Sequence, residues 1–207
     1  LDGDVSELQA LSSAAGAFPP RTARGRTLPG LLFFTDPQRV PNPEAVAERL
    51  PAGAGIVYRA FDAEDAVERG RRLRTIATER GLLLLVGAHP GLAEGIRADG
   101  LHMPQRLSAE IPRLRAEHGR WLITVAAHDL TALKAAERAQ ADAVVVSPIF
   151  PSNSPSAGEP LGVDGLKGLV TATSLPVYAL GGIRARTATQ LIGSGIVGIA
   201  AVEALAT

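Results

Sequence analysis

Eight short apolar runs punctuate this chain, and each ends in a loop of polar or glycine residues. The clearest is Ala143-Val144-Val145-Val146, which passes straight into Ser147-Pro148-Ile149-Phe150-Pro151-Ser152. A loop rich in Ser, Pro and Gly follows over 153–162, then a helical pattern over 163–173. A second run, Pro176-Val177-Tyr178-Ala179-Leu180, ends at Gly181-Gly182-Ile183. Runs that are apolar at every position suit strands buried on both faces, as in a parallel sheet covered by helices. Strand, loop, helix, strand and double glycine make a βαβ unit, and the rest of the chain repeats it.

The other strand patterns are 31–34, 55–59, 82–86, 100–103, 122–126 and 197–202. Between them lie helical patterns at 43–50, capped by Asn42 with Pro43 in the first turn, and at 62–80, with Asp62 as cap and Gly81 as stop. Further helices are expected over 92–97, over 108–117 from Ser108, over 129–140 from Asp129, over 185–193, and briefly over 203–207. Val5, Leu8 and Leu11 share a helical spacing, so residues 1–17 predict a helix, and Phe18 to Gly30 reads as a linker. The expected fold is an α/β (β/α)8 TIM barrel over 31–207, a single domain with an N-terminal helical extension over 1–30. An open doubly wound sheet would call for a glycine fingerprint after the first strand, where Thr35-Asp36-Pro37 stands instead. The 207 residues are 46% hydrophobic but 4% aromatic, so aliphatic side chains must fill the core.

Composition excludes several functions. There is no Cys, hence no disulfide, thiolate nucleophile or Cys-bound metal. Formal net charge is zero, which gives nucleic acid no electrostatic hold. No apolar run reaches 18 residues and no signal peptide is apparent, so the expectation is a cytoplasmic protein with no membrane partner. Self-association into a homo-oligomer stays open.

In a barrel of this kind ligands bind at the carboxyl ends of the strands. That rule picks out Asp36, Arg59, His89, His102, Gln105, His128, Ser147, Ser152, Gly181, Gly182 and Glu203. Gly181-Gly182 reads as a phosphate loop feeding a helix N-terminus, with Ala200 and Ala201 in the second half of the site, or as a tight turn needing positive φ. Glu203 would oppose a phosphate there. Arg59 is either an anion clamp or the partner of Asp36 or Asp62. His128 is either a proton shuttle or a loop-orienting residue. His89 and His102 make a poor metal site without a carboxylate, His118 reads as a solvated surface residue, and Asp36 as an Asx-turn before Pro37.

Several stretches taken in order resemble the thiamine phosphate synthase family, which is similar to the thiazole tautomerases. They are Leu32-Phe33-Phe34-Thr35-Asp36, Ala98 through Gln105, Val125-Ala126-Ala127-His128, Ala141-Asp142-Ala143, Ser147 through Ser152, Leu180-Gly181-Gly182-Ile183 and Gly198 through Val202. The resemblance implies coupling of a pyrimidine-methyl diphosphate to a thiazole phosphate, with Mg²⁺ neutralising the departing diphosphate. The family's Gln-x-Arg-x-Lys pattern falls on Val57, Arg59 and Phe61, so the arginine alone persists. Its Asn-Asp pair falls on Gly87 and Ala88, and a later acid on Arg106 or Leu107, so the Mg²⁺ carboxylates expected of the family are missing. The Thr-x-Thr-Lys pattern falls on Ser152, Ser154 and Pro155, and a phosphate-holding serine on Glu203. By resemblance the site comprises His128, Arg59 and Ser152 as catalytic residues and Gly181, Gly182, Ser154, Ala200 and Ala201 around a phosphate. The ligand expected is a small phosphorylated heterocycle such as thiazole phosphate. The leading expectation is a thiamine-phosphate-synthase-like transferase of thiamine biosynthesis, divergent at its metal site and recruiting Arg106 and His89 to the diphosphate; the alternatives are a metal-independent tautomerase with His128 as acid–base and a non-catalytic ligand-binding or regulatory barrel.

Overall fold

A computed structural model describes residues 6–153 and 158–206. Helix α1 (Glu7–Ala15) leads into a hairpin of β1 (Thr22–Ala23) and β2 (Arg26–Thr27). The chain then alternates through β3 (Leu31–Phe34), α2 (Pro43–Ala47), β4 (Gly55–Tyr58), α3 (Ala66–Arg80), β5 (Leu83–Gly87) and α4 (Pro90–Gly95). It continues with β6 (Gly100–Met103), α5 (Ile111–Glu117), β7 (Leu122–Ala127), α6 (Leu130–Arg138), β8 (Ala143–Val146), α7 (Gly162–Thr171), β9 (Val177–Leu180), α8 (Ala185–Ala188) and β10 (Gly198–Ala201). Strands β3 to β10 pair in parallel in chain order, and β10 closes onto β3. This is the expected (β/α)8 barrel. Among the described residues no helix is long and apolar enough to cross a membrane.

The pleat sorts the side chains. One set faces the helices, with Phe33, Ile56, Leu84, Val86, Leu101, Ile123, Val125, Val144 and Ile199 in a single large core. The alternate set, including Leu32, Phe34, Val57, Leu85, Leu122, Val145, Tyr178 and Ala200, fills the barrel interior. The same alternation carries Arg59, Gly87, His102, Ser147 and Val202 inward at the carboxyl end, so strand register decides which side chains can meet a ligand.

At the opposite end the hairpin plugs the barrel. Leu28 enters the interior cluster. Arg24 Nε reaches Asp142 Oδ1 at 2.8 Å and Arg26 Nη1 reaches Asp99 Oδ1 at 2.6 Å. Asp99 and Asp142 stand one residue before β6 and β8. Asp99 accepts from Leu84 N–H at 2.9 Å and from Arg74 at 2.8 Å, and Asp142 accepts from Ile123 N–H at 2.7 Å and from Arg115 at 2.5 Å. Burial pushes Asp99 up, but the Leu84 N–H and the Arg74 and Arg26 guanidiniums outweigh it and hold the carboxyl below its ordinary value. A depressed folded value means stability that is present above the unfolded carboxylate range of ~3.9 and is lost as pH falls through the folded value. Urea titrations from pH 6 to pH 2 are therefore expected to show stability falling with acid, with a shallower fall in Asp99→Asn.

The structure corrects several boundaries. The 18–30 linker contains the hairpin, tied down by its arginines. The helix expected from Asp62 begins at Ala66, because Phe61 and Asp62 are left-handed at φ 47° and 57°. Ser108 is no helix cap: 105–110 is a 3₁₀ turn and α5 starts at Ile111 with Pro112 in its first turn. The 185–193 helix shortens to Ala185–Ala188 plus a 3₁₀ turn over 189–191, and 203–205 is 3₁₀ rather than α. His118 is not simply solvated, since its ring stacks on Trp121 at 3.6 Å. Of the N-terminal helix, α1 keeps Leu8 and Leu11 on its packed face, with Leu11 fully buried, while Val5 lies outside the described residues.

Candidate functional site

A cavity of about 1100 Å³ opens at the carboxyl ends of the strands. His128, Arg59, Ser152, Gly181, Gly182, Ala200 and Ala201 all line it, whereas Ser154 lies outside the described residues. Asp36 does not line it. Its Oδ1 accepts the Gln38 and Arg39 N–H groups at 3.1 Å, the Asx-turn expected before Pro37. Its Oδ2 takes Arg39 at 2.9 and 3.1 Å. Burial raises the Asp36 carboxyl, but the Arg39 hydrogen bonds and charge, with Arg59 behind them, hold it below its ordinary value.

Arg59 follows β4 and sits half-buried in the wall. Its Nε donates to the Thr35 carbonyl at 2.7 Å, and its guanidinium lies 5.6 Å from the Phe34 ring and 5.1 Å from the Phe61 ring. Nη2 comes within 3.5 Å of Asp36 Oδ2. That resolves the ion-pair alternatives in favour of Asp36, but the contact is long and Arg39 holds the carboxylate more closely. Burial pushes Arg59 down to about 10 against the pull of Asp36, and Arg39 adds to the push.

The histidines divide by tautomer. The His128 Nδ1 lies 2.6 Å from the Ser147 carbonyl oxygen. A carbonyl can only accept, so Nδ1 carries the proton and Nε2 offers its lone pair. His89 does the reverse. It caps α4, and its Nδ1 accepts the Leu92 N–H at 3.0 Å, which leaves the proton on Nε2. Both rings are exposed and line the cavity. His102 is buried on β6, bonded through Nδ1 to Thr124 Oγ1 at 2.9 Å and edge-on to Phe34. Burial, with Arg59 nearby, drives its value down to about 3, so it is neutral at working pH.

The opposite end of the cavity holds the glycine pair. Gly181 and Gly182 have φ of 97° and 65°, which suits glycine. Close approach also demands them: a Cβ on Gly182 would stand 2.5 Å from the Pro151 carbonyl oxygen, and one on Gly181 2.8 Å from Pro148 Cα. The tight turn needing positive φ, one of the two expected roles, is therefore present. The turn is tight because the loop after β8 packs on it, with Ile149 and Phe150 N–H groups donating to the Leu180 and Gly181 carbonyls at 3.0 Å. Among the described residues the backbone N–H groups of Gly182, Val202 and Glu203 meet no protein acceptor. The α8 N-terminus does not join them as expected, because Glu7 of α1 accepts the Ala185 N–H at 2.7 Å. Glu203 leans toward Arg184, at 3.8 Å. Gly182→Ala is expected to cost about 1–3 kcal/mol in urea unfolding, because a left-handed position would gain a clashing Cβ.

Mg²⁺ takes oxygen donors, chiefly carboxylates, in octahedral array. Here the cavity wall presents the methyl of Ala88 and the cation of Arg106 where the resemblance would put carboxylates. A side chain at 87 would meet the Arg59 stem, since a Cβ there stands 3.1 Å from its Cγ. Among the described residues no group of three His, Asp or Glu is placed to hold a metal. These donors do not fit Mg²⁺.

Sequence reasoning missed Glu7, Arg39 and Arg184 and offered Asp62 only as a helix cap or a partner of Arg59; all four line the cavity. Glu7 comes from an element far away in the chain, and Asp62 reaches the mouth through a left-handed turn that mimicked a helix cap.

A family model described as thiamine monophosphate synthase matches residues 31–205. The chain is 34% identical to a thiamine-phosphate synthase of Chloroflexus aurantiacus over 160 residues, covering 75% of this chain and 74% of that one. It is 32% identical to that of Archaeoglobus fulgidus over 180 residues, covering 84% of each. Its fold matches a thiamine phosphate pyrophosphorylase from Pyrococcus furiosus with a TM-score of 0.73 and 26% identity, over 84% of this chain and 85% of the other. Matched by the family model over residues 31–205 and more than 30% identical to two synthases over most of their length, this chain belongs to the thiamine monophosphate synthase family.

Proposed function

We propose that this barrel binds a phosphorylated heterocycle and moves a proton on it without a metal, as the tautomerases similar to this family do. The observation that carries this reading is the 2.6 Å bond from His128 Nδ1 to the Ser147 carbonyl, which turns the Nε2 lone pair into an available base. Protonation at Nε2 leaves that bond intact, so the ring can take a proton from one position of the ligand and return it to another. The phosphate end is the Gly182, Val202 and Glu203 backbone, whose N–H groups suit an anion. Coupling with loss of diphosphate calls for strong neutralisation of the leaving group, and the residues at the metal positions supply none of the oxygen ligands for it.

The test is solvent deuterium incorporation into a thiazole phosphate tautomer, followed by NMR with Mg²⁺ and with EDTA. Exchange faster than in buffer, and equal in both conditions, is expected. Binding without exchange would replace this reading with a non-catalytic barrel, and exchange that needs Mg²⁺ would contradict it.

A further inference from the structure

We propose that the amino end of the barrel, opposite the cavity, is a docking face for an acidic segment of a partner protein. Docking there leaves the mouth open, so a partner can hold this protein without covering its ligand site.

Topology sorts the charges between the two ends. The loops that run from helices into barrel strands carry Arg21, Arg24, Arg26, Arg49, Arg97 and Arg120 against Glu48, Asp99 and Asp142. The loops that leave those strands carry four arginines against eight acids. A chain of zero net charge is therefore polar along the barrel axis, with three net positive charges in one set of loops and four net negative charges in the other. The helix acids toward the amino end, Glu79, Glu94, Glu117 and Glu137, are matched in number by Arg80, Arg113, Lys134 and Arg138.

Two features leave the positive charge uncompensated. Asp99 is shared by Arg26 and Arg74, and Asp142 by Arg24 and Arg115, so one carboxylate faces two guanidiniums at each place. Arg21, Arg97 and Arg120 are exposed, and among the described residues no hydrogen bond or ion pair engages their side chains. The hairpin that carries Arg21 is also held in place. Arg24 and Gly25 turn it at φ of 53° and 73°, the left-handed pair of a tight two-residue turn, and its two ion pairs tie it to the starts of β6 and β8. Guanidinium forks on a fixed scaffold take carboxylates at little ordering cost.

Charge also selects the occupant. A nucleic acid strand would run from this small patch onto a chain with no net charge to hold it. A second copy could set its acidic mouth loops here, but head-to-tail stacking does not close on itself and would cover the cavity of each inner copy. A short run of Asp and Glu meets Arg21, Arg97 and Arg120 and ends with them.

The experiment titrates the protein with octaglutamate at low salt, by isothermal titration and by the fluorescence of Trp121, the sole Trp, which follows Arg120 on this face. Binding is expected, weakening about tenfold or more between roughly 20 and 200 mM salt. Combining Arg21→Gln, Arg97→Gln and Arg120→Gln is expected to weaken it about tenfold, the sum of three modest exposed pairs, at an unchanged melting temperature. Arg106→Gln, at the mouth, is expected to leave it unchanged. Absence of binding, binding that survives the triple substitution, or binding lost in Arg106→Gln would overturn the proposal. So would octathymidylate binding tighter than octaglutamate, which would make the face a nucleic acid site, or sedimentation showing self-association that the triple substitution abolishes, which would make it a contact between copies.

Discussion

His128→Asn is expected to slow proton transfer on the phosphorylated ligand by ~10²–10⁴-fold, the usual contribution of a positioned acid–base group. The variant is chosen for what it keeps. An amide can still donate to the Ser147 carbonyl, which His128 Nδ1 now approaches to 2.6 Å, so the loop after β8 keeps its tether. What it removes is the Nε2 lone pair. His128 is exposed at the cavity mouth, so urea unfolding should be unchanged and the loss should appear in the exchange rate, with ligand affinity altered little. A rate within threefold of the original would move the base to another group. His89 would not serve in its place, because its Nδ1 lone pair is already taken by the Leu92 N–H.

Asp142→Ala is expected to cost about 3–5 kcal/mol, as removing one member of a buried charge cluster does. The Asp142 side chain is 6% exposed and Arg115 13%. Its carboxylate is the meeting point of Arg115, Arg24 and the Ile123 N–H. Alanine leaves the partly buried Arg115 with the Trp121 carbonyl in place of a carboxylate and leaves the Ile123 amide without its acceptor. It also frees the hairpin plug on that side. Arg24→Ala is the control: Arg24 is 38% exposed, and an exposed partner of this kind contributes about 1 kcal/mol or less. Equal losses in the two variants would mean that the hairpin, rather than the buried pair, holds this end together.

The barrel was legible because its strands are unambiguous. Ala143 to Val146 and Leu82 to Val86 are apolar at consecutive positions, and glycine or proline bounds most such runs. Helix stops and caps with one local cause were legible too: Gly81 is left-handed at φ 66°, and Asn42 and Asp129 accept N–H groups three residues on. What escaped depends on partners distant in sequence. Arg24 and Arg26 look like linker charges until Asp142 and Asp99 are brought to them, although both aspartates stand in repeated Ala-Asp pairs just before strands. Glu7 meets Ala185 across 178 positions, which no local pattern announces. The cavity-lining positions at strand ends were legible from the rule that ligands bind at the carboxyl ends of barrel strands. The tautomers of His89 and His128 were not, since each depends on which backbone group its ring meets.

On the proposed function this mouth holds a phosphorylated ligand without Mg²⁺. Isothermal titration with thiazole phosphate and with pyrophosphate, each in Mg²⁺ and in EDTA, tests it most directly. Thiazole phosphate is expected to bind equally in both conditions, and pyrophosphate binding is expected to gain nothing from the metal. Pyrophosphate binding that appears or tightens tenfold or more with Mg²⁺ would contradict it and restore a metal-assisted site built from oxygen ligands at positions other than 88, 106 and 107.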